Sequence, residues 1–372
     1  MKVLVTGANG FVGRNLCAHL AERGGIEVVR FTRESSVGNL PELIRSVDFI
    51  FHLAGVNRPE KPEEFKIGNS ELTYALCEAV RSNGRAIPLL YTSSIQAEVD
   101  NEYGLSKRAA EEHLQVLGED IGCPVYIFRL PNVFGKWSRP NYNSAVATFC
   151  HNIIRDIPIQ INDSSAEITL VYIDDVVRTF MKVMDGKLSN AVSLQVEPQY
   201  QISVGELAEQ LYEFRDSRKS LTTARVGSGL TRALYSTYLS FLPEDSFSYD
   251  VPMHSDPRGT FVEMLKTADS GQFSFFTAHP GVTRGGHYHH SKTEKFLVIK
   301  GMARFKFRNI LTGAFYEICT NGEKAEIVET VPGWTHDITN VGTDDMVVML
   351  WANEVFDREN PDTYACSVGE GA

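Results

Sequence analysis

The sequence predicts two architectures in succession. A doubly wound parallel α/β sheet spans 1–245, and an antiparallel all-β barrel or jelly roll spans 246–372. Three observations carry this. Up to about residue 180, short β-rich runs alternate with amphipathic helical patterns, the order that builds a parallel sheet covered on both faces. Glycines stand at positions 7, 10 and 13, where the first strand gives way to the first helix. After about residue 250 the helical period vanishes, and short strands follow one another with turn residues between them. For 372 residues a soft prior of about 150 residues per domain gives roughly two or three domains, and the pattern resolves into two.

Taken in order, 2–6 reads as a buried strand and 12–23 as a helix. The runs 27–31, 47–53, 87–93 and 125–129 are rich in β-branched and aromatic residues, and helical patterns at 70–82 and 107–117 separate several of them. From 181 to about 245 the pattern is mixed, with one clear helix at 204–214. The polar, Gly/Ser-bearing stretch 216–231 reads as an exposed loop. Strands are then predicted at 261–265, 272–277, 295–298, 303–308, 325–330 and 346–351. There is no internal repeat and no low-complexity tract.

Composition narrows the class. Lys+Arg number 36 against 47 Asp+Glu, a net charge of −11, with 10% aromatic and 22% charged residues. A chain of this kind can bury a large core, and its composition argues against disorder. The acidic balance argues against sequence-independent nucleic-acid binding, which needs a basic face to release phosphate counterions. It leaves room for a small anionic ligand held by a few local cations. No apolar run approaches the ~18 residues of a membrane helix. The opening apolar run reaches Gly7 without a cleavage-like site, so a signal peptide is not expected. Six scattered cysteines with no CxxC pair predict free thiols in a reducing cytoplasm, not a disulfide framework or a cysteine metal site.

Two constellations carry chemistry. In the first, Gly7-x-x-Gly10-x-x-Gly13 follows a strand and opens a helix. Glycine there permits the tight turn and lets the backbone approach a pyrophosphate at the helix N-terminus, with Phe11 and Val12 in the same turn. At the end of the second strand the chain reads Phe31-Thr32-Arg33, with no acid before Glu34. A cation at that point suits a 2′-phosphate, which favours NADP(H) over NAD. Arg14 is a second candidate for that phosphate. Downstream, Tyr103-Gly-Leu-Ser-Lys107 places a phenol and an ammonium on one helical face. The ammonium is expected to stabilise phenolate and lower the phenol's pKa toward neutrality, making Tyr103 a proton donor to a carbonyl under reduction. Ser94, at the end of a strand, is placed to bond the same oxygen.

The segments TGANGFVG (6–13), HLAG (52–55), TSS (92–94), YGLSK (103–107), RLPNVFG (129–135) and VYIDDVV (171–177) together resemble the extended short-chain dehydrogenase/reductases that act on nucleotide sugars. The resemblance implies a Rossmann domain with Ser94, Tyr103 and Lys107 as the catalytic set. It places Leu53, Ala54 and Gly55 along the cofactor and Asn132 on the sugar nucleotide. Only eight residues separate Ser94 from Tyr103, fewer than is usual in that family. Lys136-Trp137-Ser-Arg139-Pro-Asn-Tyr142 combines cations with aromatics and reads as a diphosphate and uracil contact zone through Lys136 and Arg139. Ile95-Gln96 follow Ser94 where the family's dehydratases carry an Asp-Glu pair, which argues against dehydratase chemistry.

In the second constellation, His287-x-His289, Glu294 and His336 form an N/O donor set suited to a divalent metal. An H-x-H on a strand points both imidazoles to one face. Together with Gly281, Gly301, Gly333 and Asn340, these residues resemble the two motifs of the cupins, with Val331-Pro332 where proline usually stands one place earlier. Asp256-Pro-Arg258-Gly259-Thr-Phe261-Val-Glu263 resembles the entry segment of deoxysugar 4-keto-epimerases, also of cupin fold. That likeness implies nucleotide contacts from Arg258, Phe261 and Glu263. It also implies a histidine base at His287 within Arg284-Gly-Gly-His287, with Arg284 beside the substrate and Lys295 polarising the enolate oxygen. His287 therefore has two readings, metal ligand and general base, and the complete donor set favours the ligand. His290 is the alternative base.

Over essentially the whole chain, HLAGVNRPE (52–60), FGKWSRPNYNS (134–144), YSTYLS (235–240) and TEKFLV (293–298) resemble bifunctional capsular-polysaccharide enzymes of the CapF type. The resemblance implies a cupin that epimerises C3 of a UDP-2-acetamido-2,6-dideoxy-4-keto-hexose and a reductase that then uses NADPH at C4. The product would be UDP-N-acetyl-6-deoxy-L-talosamine, on the way to UDP-N-acetyl-L-fucosamine. It further implies zinc in the cupin and a homodimer. A single-activity 4-keto reductase, with a cupin that only binds sugar or mediates dimerisation, is the alternative.

Overall fold

A computed structural model describes residues 1–188, 194–359 and 361–369, apart from the side chain of residue 245. The described residues divide into two compact units, Met1–Tyr212 with Ser228–Leu242 and Glu213–Gly227 with Pro243–Ala372.

In the first unit, five parallel strands are β1 (Lys2–Thr6), β2 (Glu27–Phe31), β3 (Phe49–His52), β4 (Leu89–Ser94) and β5 (Val125–Leu130). Their order is β2-β1-β3-β4-β5. β1 and β3 pair in register through Val3↔Phe49 to Thr6↔His52. Strand order reverses at β1, so a crevice opens where the carboxyl ends of β1 and β3 meet, the place where such sheets bind ligands. The strands are near-continuous apolar runs because helices cover both faces: Val3, Leu4, Val5, Ile50 and Phe51 are fully buried. A second sheet holds β6 (Asn132–Phe134), β7 (Glu167–Tyr172) and β8 (Gln199–Ser203), with β6 parallel and β8 antiparallel to β7.

Three local features position the first site. Helix Phe11–Ala21 starts after Gly10 with no side-chain cap, leaving its first N–H groups open to an anion. The chain after β3 reaches helix Leu72–Asn83 through a π-helical turn, Lys66–Glu71. Helix Glu102–Ile121 is capped by Asn101, whose Oδ1 accepts the Gly104 N–H at 2.8 Å. The predicted loop at 216–231 is a correction. Helix Val204–Ser220 runs into it and helix Gly229–Leu239 occupies its end, because straight-chain polar residues such as Arg215, Arg218 and Lys219 sustain a helix without an apolar stripe.

The second unit carries two antiparallel sheets. One has the order β16-β13-β18-β11-β10-β9 and the other β15-β14-β17-β12-β19. The strands are β9 (Met253–Asp256), β10 (Gly259–Thr267), β11 (Gly271–Ala278), β12 (Thr283–Tyr288), β13 (Glu294–Lys300), β14 (Met302–Asn309), β15 (Phe315–Asn321), β16 (Ile327–Glu329), β17 (Trp334–Asn340), β18 (Met346–Ala352) and β19 (Tyr364–Ala365). Inward residues of both sheets, among them Phe276, Phe296, Phe305, Ile338 and Val348, form one core, as in a jelly roll.

Candidate functional site

The turn after β1 is built for close backbone approach. Gly7 has φ +67°, and a Cβ there would lie 2.7 Å from the Ala54 nitrogen. A Cβ on Gly13 would lie 2.2 Å from the Gly7 oxygen. Only glycine lets the helix start and the two strand ends meet this tightly. Thr6 Oγ1 accepts the N–H groups of Leu53 and Ala54, each at 3.1 Å, so its own proton goes to His52 Nδ1 at 2.7 Å. That leaves the His52 proton on Nε2, donated to Thr73 Oγ1 at 2.8 Å, and Thr73 donates to the Asn69 carbonyl. Burial, reinforced by Lys107, pushes His52 down to about 3, so this strut is neutral. The donor-rich, uncapped turn fits a dinucleotide pyrophosphate. Arg33 and Arg14 are both exposed, Arg33 two residues beyond β2.

Ser94, Tyr103 and Lys107 converge at the end of β4. The short Ser94-to-Tyr103 connection closes because Ile95–Glu98 forms a 3₁₀ turn and Gly104 packs on it. A Cβ at 104 would stand 2.2 Å from the Gln96 oxygen. Tyr103 is hydrogen-bonded to Ser94. Burial raises its pKa and the Ser94 bond opposes the rise, so the phenol stays protonated, unlike the lowering expected from Lys107. Lys107 is buried and donates to the Thr92 carbonyl at 2.9 Å, with its ammonium 4.8 Å from the centre of the Tyr91 ring. Burial brings its pKa down to about 8, opposed by Glu111 one turn on. Glu111 in turn meets Arg129 at 2.6 and 3.0 Å and accepts from Ser93. Gly55 stands over the ammonium: a Cβ there would be 3.2 Å from Lys107 Nζ and 2.9 Å from Asn69 Oδ1.

Other expected substrate residues are nearby in sequence but differently engaged. Asn132 is exposed and donates to the Thr169 carbonyl at 3.1 Å. Lys136 is ion-paired with Asp174 and lies 5.5 Å from the Trp137 ring centre. Arg139 stacks on Tyr142 at 5.2 Å. Sequence reasoning missed Arg58, which donates to the Tyr142 carbonyl and lines a cavity of about 480 Å³ with Tyr142, Ser144 and Thr148. Its only signal was its place in HLAGVNRPE.

In the second unit, one ligand atom from each of His287, His289, Glu294 and His336 lies within 4.8 Å of the others. His287 and His336 face each other across β12 and β17. A register shift made by Gly285 (φ +97°) and Gly286 (φ +75°) aims His287 inward. Burial, then His336, pushes His287 down to about 4. His289 Nδ1 donates to the Asp362 carbonyl at 2.5 Å, and its Nε2 is directed at Glu294 Oε2 at 3.3 Å. His336 Nε2 approaches the same oxygen at 3.4 Å. Imidazole nitrogens and a carboxylate converging in a buried place suit a cation between them, and three imidazoles with one carboxylate suit a divalent transition metal.

His287, Glu294 and His336 line a cavity of about 280 Å³ together with Arg258, Phe261, Phe276, Arg284, Phe296 and Phe305. Arg258 pairs with Asp256 at 2.6 Å, and Arg284 stacks on Phe276 at 5.1 Å. Three expected residues lie elsewhere. Glu263 does not line the cavity and pairs with Lys266 at 3.0 Å. His290 packs edge-on against Tyr288 and Tyr364. Strand alternation turns Lys295 away from Glu294 and Phe296, onto the exposed face, where it pairs with Glu329. The lysine at the cluster is Lys292, buried, with its ammonium 3.1 Å from Glu294 Oε1.

Residues 3–193 match the NAD dependent epimerase/dehydratase family, and residues 254–364 match the polysaccharide biosynthesis C-terminal domain. The chain is 99% identical over all 372 residues, the full length of both, to a UDP-2-acetamido-2,6-beta-L-arabino-hexul-4-ose reductase of Pseudomonas aeruginosa. The capsular polysaccharide assembling protein CapF of Staphylococcus aureus superposes with a TM-score of 0.92 at 41% identity, covering 99% of this chain and 100% of that one. A UDP-glucuronic acid 4-epimerase of Bacillus cereus, 19% identical with a TM-score of 0.55 over 65% of this chain and 98% of its own, shares the fold alone.

Proposed function

The chain belongs to the NAD dependent epimerase/dehydratase family, and from that premise we propose that it is a bifunctional UDP-sugar enzyme. Its 246–372 barrel epimerises C3 of a UDP-2-acetamido-2,6-dideoxy-4-keto-hexose. Its 1–245 unit then reduces the C4 ketone with NADPH to UDP-N-acetyl-6-deoxy-L-talosamine, toward UDP-N-acetyl-L-fucosamine for capsule or O-antigen. The reading includes a cytoplasmic homodimer with zinc in the barrel. The observation that carries the reductase is the half-buried Ser94–Tyr103 hydrogen bond beside the buried Lys107, in a chain 99% identical to a UDP-sugar reductase.

The residues divide the reduction among them. Arg33 or Arg14 would meet the 2′-phosphate of NADPH and the Gly7–Gly13 turn its pyrophosphate, and the cofactor would supply a hydride to C4. Ser94 orients the ketone oxygen. Tyr103, kept protonated by burial, releases its proton only to the strongly basic oxygen that develops at C4. Lys107 in its ammonium form stabilises the phenolate left behind.

Epimerisation precedes reduction because the C3 proton is acidic only while C4 is a ketone. Arg258 and Arg284 in the lining of the barrel cavity suit the diphosphate. His287, His289, Glu294 and His336 would hold a divalent metal, which would supply either Lewis acidity toward the ketone or a structural tie. A single-activity reductase is the second reading, favoured by the position of Lys295 away from the cavity.

The test supplies a 4-keto UDP-sugar and NADPH and follows NADPH oxidation with product analysis. The proposal expects one NADPH consumed per alcohol formed, and loss of that turnover in Tyr103→Phe. A cofactor that is regenerated, with no net NADPH consumption, contradicts it.

A further inference from the structure

The segment after residue 360 ties itself to the metal cluster. β19 pairs with β12 at the ligand strand, His287 opposite Ala365. The Cys366 N–H reaches the Gly286 carbonyl at 2.9 Å. Val368 is buried, and its carbonyl accepts from Arg308 Nε at 2.6 Å. Asp362 stands at the head of this strap and acts through both of its carbonyl-type groups. Its backbone oxygen accepts from His289 Nδ1 at 2.5 Å. Its carboxylate accepts four donors of the adjoining turn: the His290 N–H at 2.9 Å, the Ser291 N–H at 2.7 Å, the Ser291 hydroxyl at 2.9 Å and the Lys292 N–H at 2.8 Å.

We propose that Asp362 is a positioning residue for the barrel's metal cluster, orienting two of its components at once. Through its carbonyl it fixes the His289 tautomer, leaving Nε2 free to ligate. Through its carboxylate it holds the 290–292 turn from which Lys292 reaches Glu294. The Lys292 ammonium then occupies Glu294 Oε1 at 3.1 Å while Oε2 faces both His289 and His336, so Glu294 offers the metal one oxygen. Partners of this kind behind metal ligands typically change affinity about 10- to 100-fold when lost. The inference rests on the metal reading given above.

The test titrates the metal-free full chain with Zn²⁺ against a competing chelator, for wild type, Asp362→Asn and Lys292→Met, and measures melting temperature with and without Zn²⁺. Asp362→Asn keeps the backbone carbonyl but puts an amide where the turn's donors need a carboxylate. The expected result is zinc binding weaker by about 10- to 100-fold and a smaller zinc-dependent rise in melting temperature, since that rise follows ligand affinity. A merely structural role would lower both melting temperatures together and leave the rise and the affinity unchanged, which would overturn the proposal. Lys292→Met answers the same question if Asp362→Asn does not fold, and a wild-type affinity there overturns it equally. Absence of zinc uptake by wild type itself would instead remove the metal reading on which the inference stands.

Discussion

Gly55→Ala adds one methyl group at the most crowded point of the reductase site. The Gly55 φ lies outside the left-handed region, so alanine meets no backbone strain and the effect comes from contacts alone. The new Cβ would stand 2.9 Å from Asn69 Oδ1 and 3.2 Å from Lys107 Nζ, where ordinary contact begins at 3.4 Å. Neither tip is idle. Asn69 Oδ1 accepts the Val56 N–H at 2.8 Å, and Lys107 donates to the Thr92 carbonyl at 2.9 Å. The lysine stem is the more flexible of the two, so the ammonium moves and its bond to Thr92 lengthens or breaks. A hydrogen bond to a charged group contributes about 1.5–3 kcal/mol, and about 1.4 kcal/mol is tenfold in rate. The expected loss in kcat/KM is therefore roughly 10- to 150-fold, read from NADPH oxidation with a 4-keto UDP-sugar. Activity within about twofold of wild type, in a folded variant, would refute the reasoning, because the ammonium's position would then not matter.

Three further outcomes are expected. Because burial brings Lys107 down to about 8 and Glu111 raises it, the protonated form is lost as pH rises through about 8. The reductase kcat/KM should fall over that window, and Glu111→Gln should move the falling limb to lower pH; a limb unmoved or moved upward contradicts the assignment. Gly13→Ala, whose Cβ would lie 2.2 Å from the Gly7 oxygen, should destabilise the unit by about 1–3 kcal/mol and weaken NADPH binding, measured by melting and cofactor titration. Lys295→Met, on the outer face of β13, should leave C3 exchange and stability near wild type, and a tenfold loss of exchange would restore the lysine to the reaction.

Both architectures and the residues that meet at the two sites were legible where chemistry requires close spacing in sequence. Gly7-x-x-Gly10-x-x-Gly13, Tyr103 with Lys107, and His287-x-His289 each lie within one turn or one strand end, so local periodicity locates them. Less was legible where position depends on phase or on distant chain. Lys292 and Lys295 flank the same glutamate, and their directions are set by different things: strand alternation in β13 turns Lys295 outward, while Lys292 lies in the preceding turn, which a distant Asp362 holds. Asn69 comes to the Val56 backbone beside Gly55 from a π-helical turn that an i, i+3, i+4 pattern does not reveal. Asp362 acts on residues about seventy positions earlier through a carbonyl and a carboxylate, and neither leaves a signature in the local sequence. Arg215, Arg218 and Lys219 give no apolar period, and so the helix through them reads as loop.

On this reading the barrel activates C3 independently of reduction at C4. Incubating the chain with the 4-keto UDP-sugar in deuterated water without NADPH, and following C3 by mass spectrometry and NMR, measures this alone. Deuterium is expected at C3, retained in Tyr103→Phe and lost in His287→Ala. No deuterium at C3, with NADPH-dependent reduction intact, would contradict it and leave a reductase alone.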